Sequence, residues 1–177
     1  MNFLPTQIEG VWIVEMERRQ DERGWFARTW CKDELKAHGL DPALAQCSSS
    51  FNHKRGTLRG MHYQAAPNEE VKLVRCTRGA VFDVVLDLRP DSQSFKHWHS
   101  VELSADNGRA IYIPKGCAHG YQTLMPDTEL HYIISNRYIP ESGRGLRWDD
   151  PTFGILWPMP DQAILSRRDA SYPYFTL

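Results

Sequence analysis

Residues 56–64 read GTLRGMHYQ and set an arginine, Arg59, three positions before a histidine, His62. A guanidinium is a planar fork that meets two phosphate oxygens at once. Imidazole titrates near neutral pH and suits a general base. Three further stretches carry polar groups in apolar company: VKLVR (71–75), IPKGCAHGYQTL (113–124) and ELHYIISNRY (129–138). They supply Lys72, His119 and Tyr132. A lysine pointing into a cavity stabilises an enolate oxygen electrostatically, and a phenol donates a proton. Taken singly, each has a structural alternative, such as a snorkelling lysine or a hydrogen-bonded core tyrosine. The set together is harder to ascribe to structure alone.

Glycine-punctuated turns around His62 and His119 suggest a cupin-type jelly roll. Metal-binding cupins pair two histidines two residues apart on one strand face. Here the second position is Gln64, and a side-chain amide is a poor transition-metal ligand beside imidazole. His62, His119 and Glu70 remain as a possible ligand triplet for a metal-dependent cupin, the alternative to a metal-free site. His97 and His99 alternate onto one strand face with no third ligand at a useful spacing, and are expected to be exposed strand residues.

These groups need a scaffold that aims alternate side chains into a cavity. VRCTRGAVFDVVLDLRP is the clearest strand: Phe82, Val84, Leu86 and Leu88 fall on one face, and Val81, Asp83, Val85 and Asp87 on the other. Asp83 on so apolar a strand faces either a cavity or the solvent side. Turn signals recur at Arg78-Gly79, Arg89-Pro90-Asp91-Ser92, Asp106-Asn107-Gly108, Pro114-Lys115-Gly116, Pro126-Asp127 and Pro140-Glu141-Ser142-Gly143. Such closely spaced strands from Gln46 to Trp157 predict an all-β antiparallel sandwich or barrel. A helix is expected in WCKDELKAHGL, with acids near its start and Gly39 as the stop, followed by an Asp41-Pro42 turn.

The chain has 177 residues, 41% hydrophobic and 24% charged, an ordinary balance for one globular domain spanning 1–177. A formal net charge of −1 argues against nucleic acid or an anionic membrane as partner. Cys31, Cys47, Cys76 and Cys117 show no CxxC spacing and are expected as reduced thiols. The N-terminus lacks a signal-peptide pattern and no apolar run is long enough to span a bilayer, so a soluble cytoplasmic protein is expected.

The motifs LRGMHYQ, KLVRCTRGAVFDVVLDLR, IPKGCAHGYQTL and WDDPTFGILWP occur in this order between DERGWF (21–26) and LSRRDA (165–170). In them the chain resembles the dTDP-4-dehydrorhamnose 3,5-epimerases. The resemblance implies a metal-free jelly-roll cupin without cofactors, working as a homodimer in which a segment near the N-terminus reaches the partner's site. It implies a nucleotide-diphospho-4-keto-6-deoxy sugar as substrate, inverted at C3 and C5 through an enolate. His62 matches the base and Asp169 its orienting carboxylate. Lys72 matches the enolate-stabilising lysine and Tyr132 the acid on the opposite face. Arg59 and His119 match groups around diphosphate and sugar, Tyr138 and Gln46 nucleotide-side residues, and Arg168 a further substrate-binding position. Arg23 and Phe26 match the segment lent across the dimer. From the residues alone, Asp169 also fits a capping box with Ser166.

Four departures cluster at the nucleotide end. Arg28 stands where the family commonly has glutamate, and Gln46-Cys47-Ser48-Ser49-Ser50 where it reads Gln-Asp-Asn-His-Ser. A glutamate near Gly143 is absent, and the loop Ala65–Glu70 before the lysine differs. An arginine in place of a carboxylate reverses the hydrogen-bonding role. CDP- or GDP-linked sugars, inversion at only one carbon, and a non-catalytic sugar-nucleotide binder therefore stand beside the thymidine-linked reading.

Overall fold

The computed structural model describes residues 1–176. Thirteen strands and two short α-helices are present among them. The N-terminal part forms β1 (Asn2–Pro5), β2 (Trp12–Glu15), the small ribbon β3 (Arg19–Asp21) and β4 (Gly24–Phe26), and α1 (Lys32–Ala37). Then come β5 (Gln46–Asn52), β6 (Leu58–Gln64), β7 (Lys72–Arg78), β8 (Ala80–Asp87), β9 (Trp98–Ser104) and β10 (Arg109–Ile113). The chain continues through β11 (Cys117–Thr123), β12 (Thr128–Ile134), β13 (Gly143–Gly145) and α2 (Arg167–Ala170).

The strands pair antiparallel in a six-stranded sheet, β1-β2-β10-β7-β12-β5, and a five-stranded sheet, β13-β6-β11-β8-β9. The two sheets make a cupin-like jelly roll, as the sequence predicts. Turns fall where glycine signals them; Gly79, Gly108 and Gly116 all take positive φ. The helix expected around Lys32–Ala37 forms and is followed by Gly39 at φ 70. The four strands before α1 are not foreseen by sequence reasoning. They are three or four residues long, too short for alternation to register.

Alternation on β8 sorts side chains between two layers. Val81 and Val85 join Ile111, Leu103, Leu130 and Tyr121 in the core between the sheets. Val84 and Leu86 pack outward, under Leu146, Phe153 and Trp157 of the C-terminal segment. Each fully buried leucine or isoleucine here contributes about 2 kcal/mol of transfer free energy. A third cluster, with Leu35 of α1 over Leu73 and Tyr112, covers the back of the six-stranded sheet. His97 precedes β9 and is exposed as expected, whereas His99 is half-buried. Cys76 and Cys117 are buried free thiols, pushed up to about 11 and about 12 by burial. No helix among the described residues is long and apolar enough to cross a membrane.

Asp87 closes the end of β8. Its carboxylate is fully buried and accepts from Arg89 Nε and Nη2 at 2.8 Å, Ser92 Oγ at 2.6 Å and Ser94 Oγ at 2.7 Å. Burial alone would raise its pKa, but these donors outweigh burial and hold it far below the usual carboxylate range. A depressed native pKa adds stability above the unfolded value of about 4, and that stability fades as pH falls below it. Asp87→Asn is therefore expected to lose about 2–3 kcal/mol at pH 7. In urea titrations its deficit should shrink by pH 3; a deficit constant with pH would contradict the assignment.

Candidate active site

Arg59 and His62 are three residues apart, an odd spacing that sends side chains to opposite faces of a regular strand. The structure resolves this with an irregularity in β6. His62 pairs with His119 and Arg59 with Tyr121, so three steps on β6 match two on β11. The extra residue is a bulge, which brings both side chains toward the space between the sheets. Gly60 sits within it at φ 141, where an added Cβ would lie 2.5 Å from Gly120 Cα. Glycine is required on both strands for this approach.

His62 and Lys72 line one open cavity of about 260 Å³, together with Glu70, Tyr138, Arg144 and Arg168. His62 Nε2 lies 2.6 Å from Asp169 Oδ1. The imidazole is 40% exposed while the carboxylate is only 6% exposed, so the ring reaches the cavity from a buried anchor. Asp169 serves both readings of its sequence context. Its backbone N–H donates to Ser166 Oγ at 3.0 Å and caps α2, while its carboxylate turns to His62. A carboxylate on one ring nitrogen fixes the tautomer and supports the imidazolium formed on taking a proton at the other.

Lys72, at the start of β7, is 3.0 Å from Glu70 Oε1. Tyr132 on β12 packs its ring edge-on to His119 at a centroid distance of 6.3 Å. Its hydroxyl is 3.3 Å from Ser50 Oγ, which is 2.9 Å from Tyr121 Oη. Tyr121 donates to Asn52 Oδ1, which also accepts from Arg59 Nε at 2.8 Å. Burial, then the neighbouring Tyr121, pushes the Tyr132 phenol well above its ordinary range, so it stays protonated at neutral pH as a proton donor must.

Asp83 faces the interior rather than the solvent. It is fully buried, and His119 Nε2 lies 2.9 Å from its Oδ2. Burial raises its pKa, against the pull of His119 and Lys72. Thus His119 is engaged by Asp83, His62 by Asp169, and Glu70 by Lys72. No three such groups converge as a metal site among the described residues. Gln64 is buried and acts as a clamp: Nε2 donates to the Asn68 and Arg137 carbonyls and to Glu70, and Oε1 accepts from Ile139 N at 2.7 Å.

Tyr138 is half-exposed at the rim, its backbone N–H held by Gln46 Oε1 at 3.1 Å. The Arg168 guanidinium lies 5.7 Å over the Tyr172 ring, which itself meets His62 edge-on. Arg23 and Phe26 are not brought to this cavity. They sit on the β3–β4 ribbon, Arg23 paired with Asp21 at 2.6 Å and Phe26 76% exposed. Arg28 pairs with Glu34 at 2.6 Å. Ser50, Asn52 and Tyr121 escape sequence reasoning. Tyr121 was within reach, since it stands two residues beyond His119 on the same strand face.

The jelly roll and its pocket define a cupin-like protein with an Asp–His pair and an ammonium at one cavity, and with the buried Tyr132 phenol on β12 beside His119. The sequence profile described as dTDP-4-dehydrorhamnose 3,5-epimerase matches residues 5–176, and the chain belongs to that family. It is 42% identical over 170 residues to the dTDP-4-dehydrorhamnose 3,5-epimerase of Escherichia coli, covering 96% of this chain and 91% of the relative. The Sinorhizobium fredii enzyme of the same name is 40% identical, with 98% and 89% covered. The crystal structure of the Bacillus anthracis epimerase, with TDP and PPi bound, superposes with a TM-score of 0.95 at 35% identity, covering 98% of this chain and 99% of that one.

Proposed function

We propose that this chain inverts C3 and C5 of a dTDP-linked 4-keto-6-deoxy sugar, converting dTDP-4-dehydro-6-deoxyglucose to dTDP-4-dehydrorhamnose. The 2.6 Å contact between His62 and Asp169, in the same cavity as Lys72, carries the reading. The C4 ketone acidifies the hydrogens on its neighbouring carbons. His62 removes one as a proton, and the C–H electron pair moves to the C4 oxygen as an enolate. The Lys72 ammonium stabilises that charge. Tyr132 returns a proton to the opposite carbon face, and the enolate electrons re-form the ketone. No net oxidation occurs, so the reaction requires no redox cofactor.

Arg59 and Arg168 suit the diphosphate, and Tyr138 the base. Residues 1–177 act as one domain in the cytoplasm, and the working unit is a homodimer. The ribbon bearing Arg23 and Phe26 supports the dimer, because it stands exposed and away from its own chain's cavity. Sedimentation at micromolar concentration checks this, a monomer being the contrary result. Fluorescence of a tagged chain checks the compartment, a membrane or exported signal being contrary.

Incubation with the dTDP-linked 4-keto sugar should give the L-lyxo product by NMR. Full recovery of unchanged substrate would overturn the reading. Activity should survive dialysis against a chelator, and stoichiometric loss and restoration by a metal would favour the metal-dependent alternative. Ser48, Ser49, Arg28 and the segment near Gly143 depart from the family pattern at the nucleotide end, so the identity of the nucleotide has its own test. At a hundred times its Kd a ligand adds about 2.7 kcal/mol, or about 5–10 °C in Tm for a chain of this size. dTDP is expected to give that shift and CDP or GDP less; a larger shift with CDP or GDP would reassign the nucleotide.

A further inference from the structure

Glu70 has no part in the proton transfers, yet it is a carboxylate in the reaction cavity. Its side chain is 9% exposed and that of Lys72 12%, with 3.0 Å between Oε1 and Nζ. Its other oxygen, Oε2, accepts from Gln64 Nε2 at 3.0 Å. Gln64 is in turn fixed by the Asn68 and Arg137 carbonyls and the Ile139 N–H. A buried ion pair is weak grounds for stability, since desolvation offsets most of its attraction. It does fix a direction, and a lysine needs that: an ammonium on a four-carbon stem has three rotatable donors and no preferred geometry.

We propose that Glu70 is a positioning residue, holding the Lys72 ammonium where enolate charge develops. Gln64 presents Glu70 and Glu70 presents Lys72, so the rim loop at 137–139 and the ammonium share one hydrogen-bonded support. The carboxylate is specific to this role. It accepts from Lys72 on one oxygen and from Gln64 on the other. An amide at position 70 has one acceptor oxygen, and its NH2 would face the NH2 of Gln64 or the ammonium. Glu70→Gln therefore loosens one of the two links while keeping size and shape. The inference rests on the reading of Lys72 as the enolate stabiliser.

The test is a double-mutant cycle with Lys72→Met, reading kcat and KM separately on the dTDP-linked 4-keto sugar. Misplacing a charge-stabilising group by about an ångström costs up to about a hundredfold in rate, and removing one about a hundred- to a thousandfold. Glu70→Gln is expected to lower kcat about tenfold with KM within about twofold. Lys72→Met should lower kcat at least a hundredfold, and the double variant should match Lys72→Met. Thermal stabilisation by dTDP in all three variants marks them as folded. Unchanged kcat in folded Glu70→Gln, or losses that multiply in the double variant, would overturn the inference. Full turnover by Lys72→Met would instead remove the enolate reading, and this inference with it.

Discussion

His62→Ala is expected to lower kcat by about a thousandfold, with binding of the nucleotide sugar little changed. A positioned general base contributes about 10²–10⁴ to the rate, and His62 is the imidazole in the cavity with a buried carboxylate behind it. The loss should appear at both carbons, because the proposed mechanism uses this one base for both abstractions. Asp169→Asn should follow the same pattern more weakly, since it leaves the imidazole in place without the charge that supports its protonated form. Steady-state kinetics beside dTDP binding separates the contributions. A variant without His62 that retains a tenth of wild-type turnover would contradict its role.

Tyr132→Phe is expected to uncouple exchange from inversion. Proton abstraction continues, because His62 and Lys72 are untouched. Delivery from the opposite face loses its donor, and inversion should fall about a hundredfold more than exchange of the same hydrogen with solvent. In deuterated water the unepimerised substrate then gains deuterium before epimer appears in NMR time courses, and equal loss of exchange and inversion would contradict the assignment. The pH dependence gives an independent check. A proton donor works only while protonated, and burial pushes this phenol well above its ordinary range of about 10. Its alkaline limb in the wild type should therefore lie above pH 10. A limb below pH 9 that disappears in Tyr132→Phe would be inconsistent with that environment.

Much of this architecture is readable in the chain before any coordinates. The β8 alternation sorts residues into two layers because an eight-residue strand buried on both faces has room to show its period. β1 to β4 lack that room. Spacing alone misleads at Arg59 and His62, since alternation places them on opposite faces; only the bulge beside Gly60, packed against Gly120, brings them together. The pairing of His62 with Asp169 spans 107 positions. No local pattern encodes such a contact, and motif resemblance supplied it. Asp83 shows the reverse case: its apolar strand made it conspicuous, but its partner His119 lies on a neighbouring strand. Gln64 was informative for what it is not, a second imidazole. Its positive role as a four-way clamp depends on loop backbone that folds against it.

Hydrogen exchange at the sugar tests the central claim most directly. With wild-type protein and dTDP-4-dehydro-6-deoxyglucose in deuterated water, mass spectrometry and NMR should find deuterium at C3 and C5 of the product, and His62→Ala should abolish its entry. Product formed with both hydrogens retained, or undiminished deuterium entry without His62, would contradict an enolate made by this imidazole.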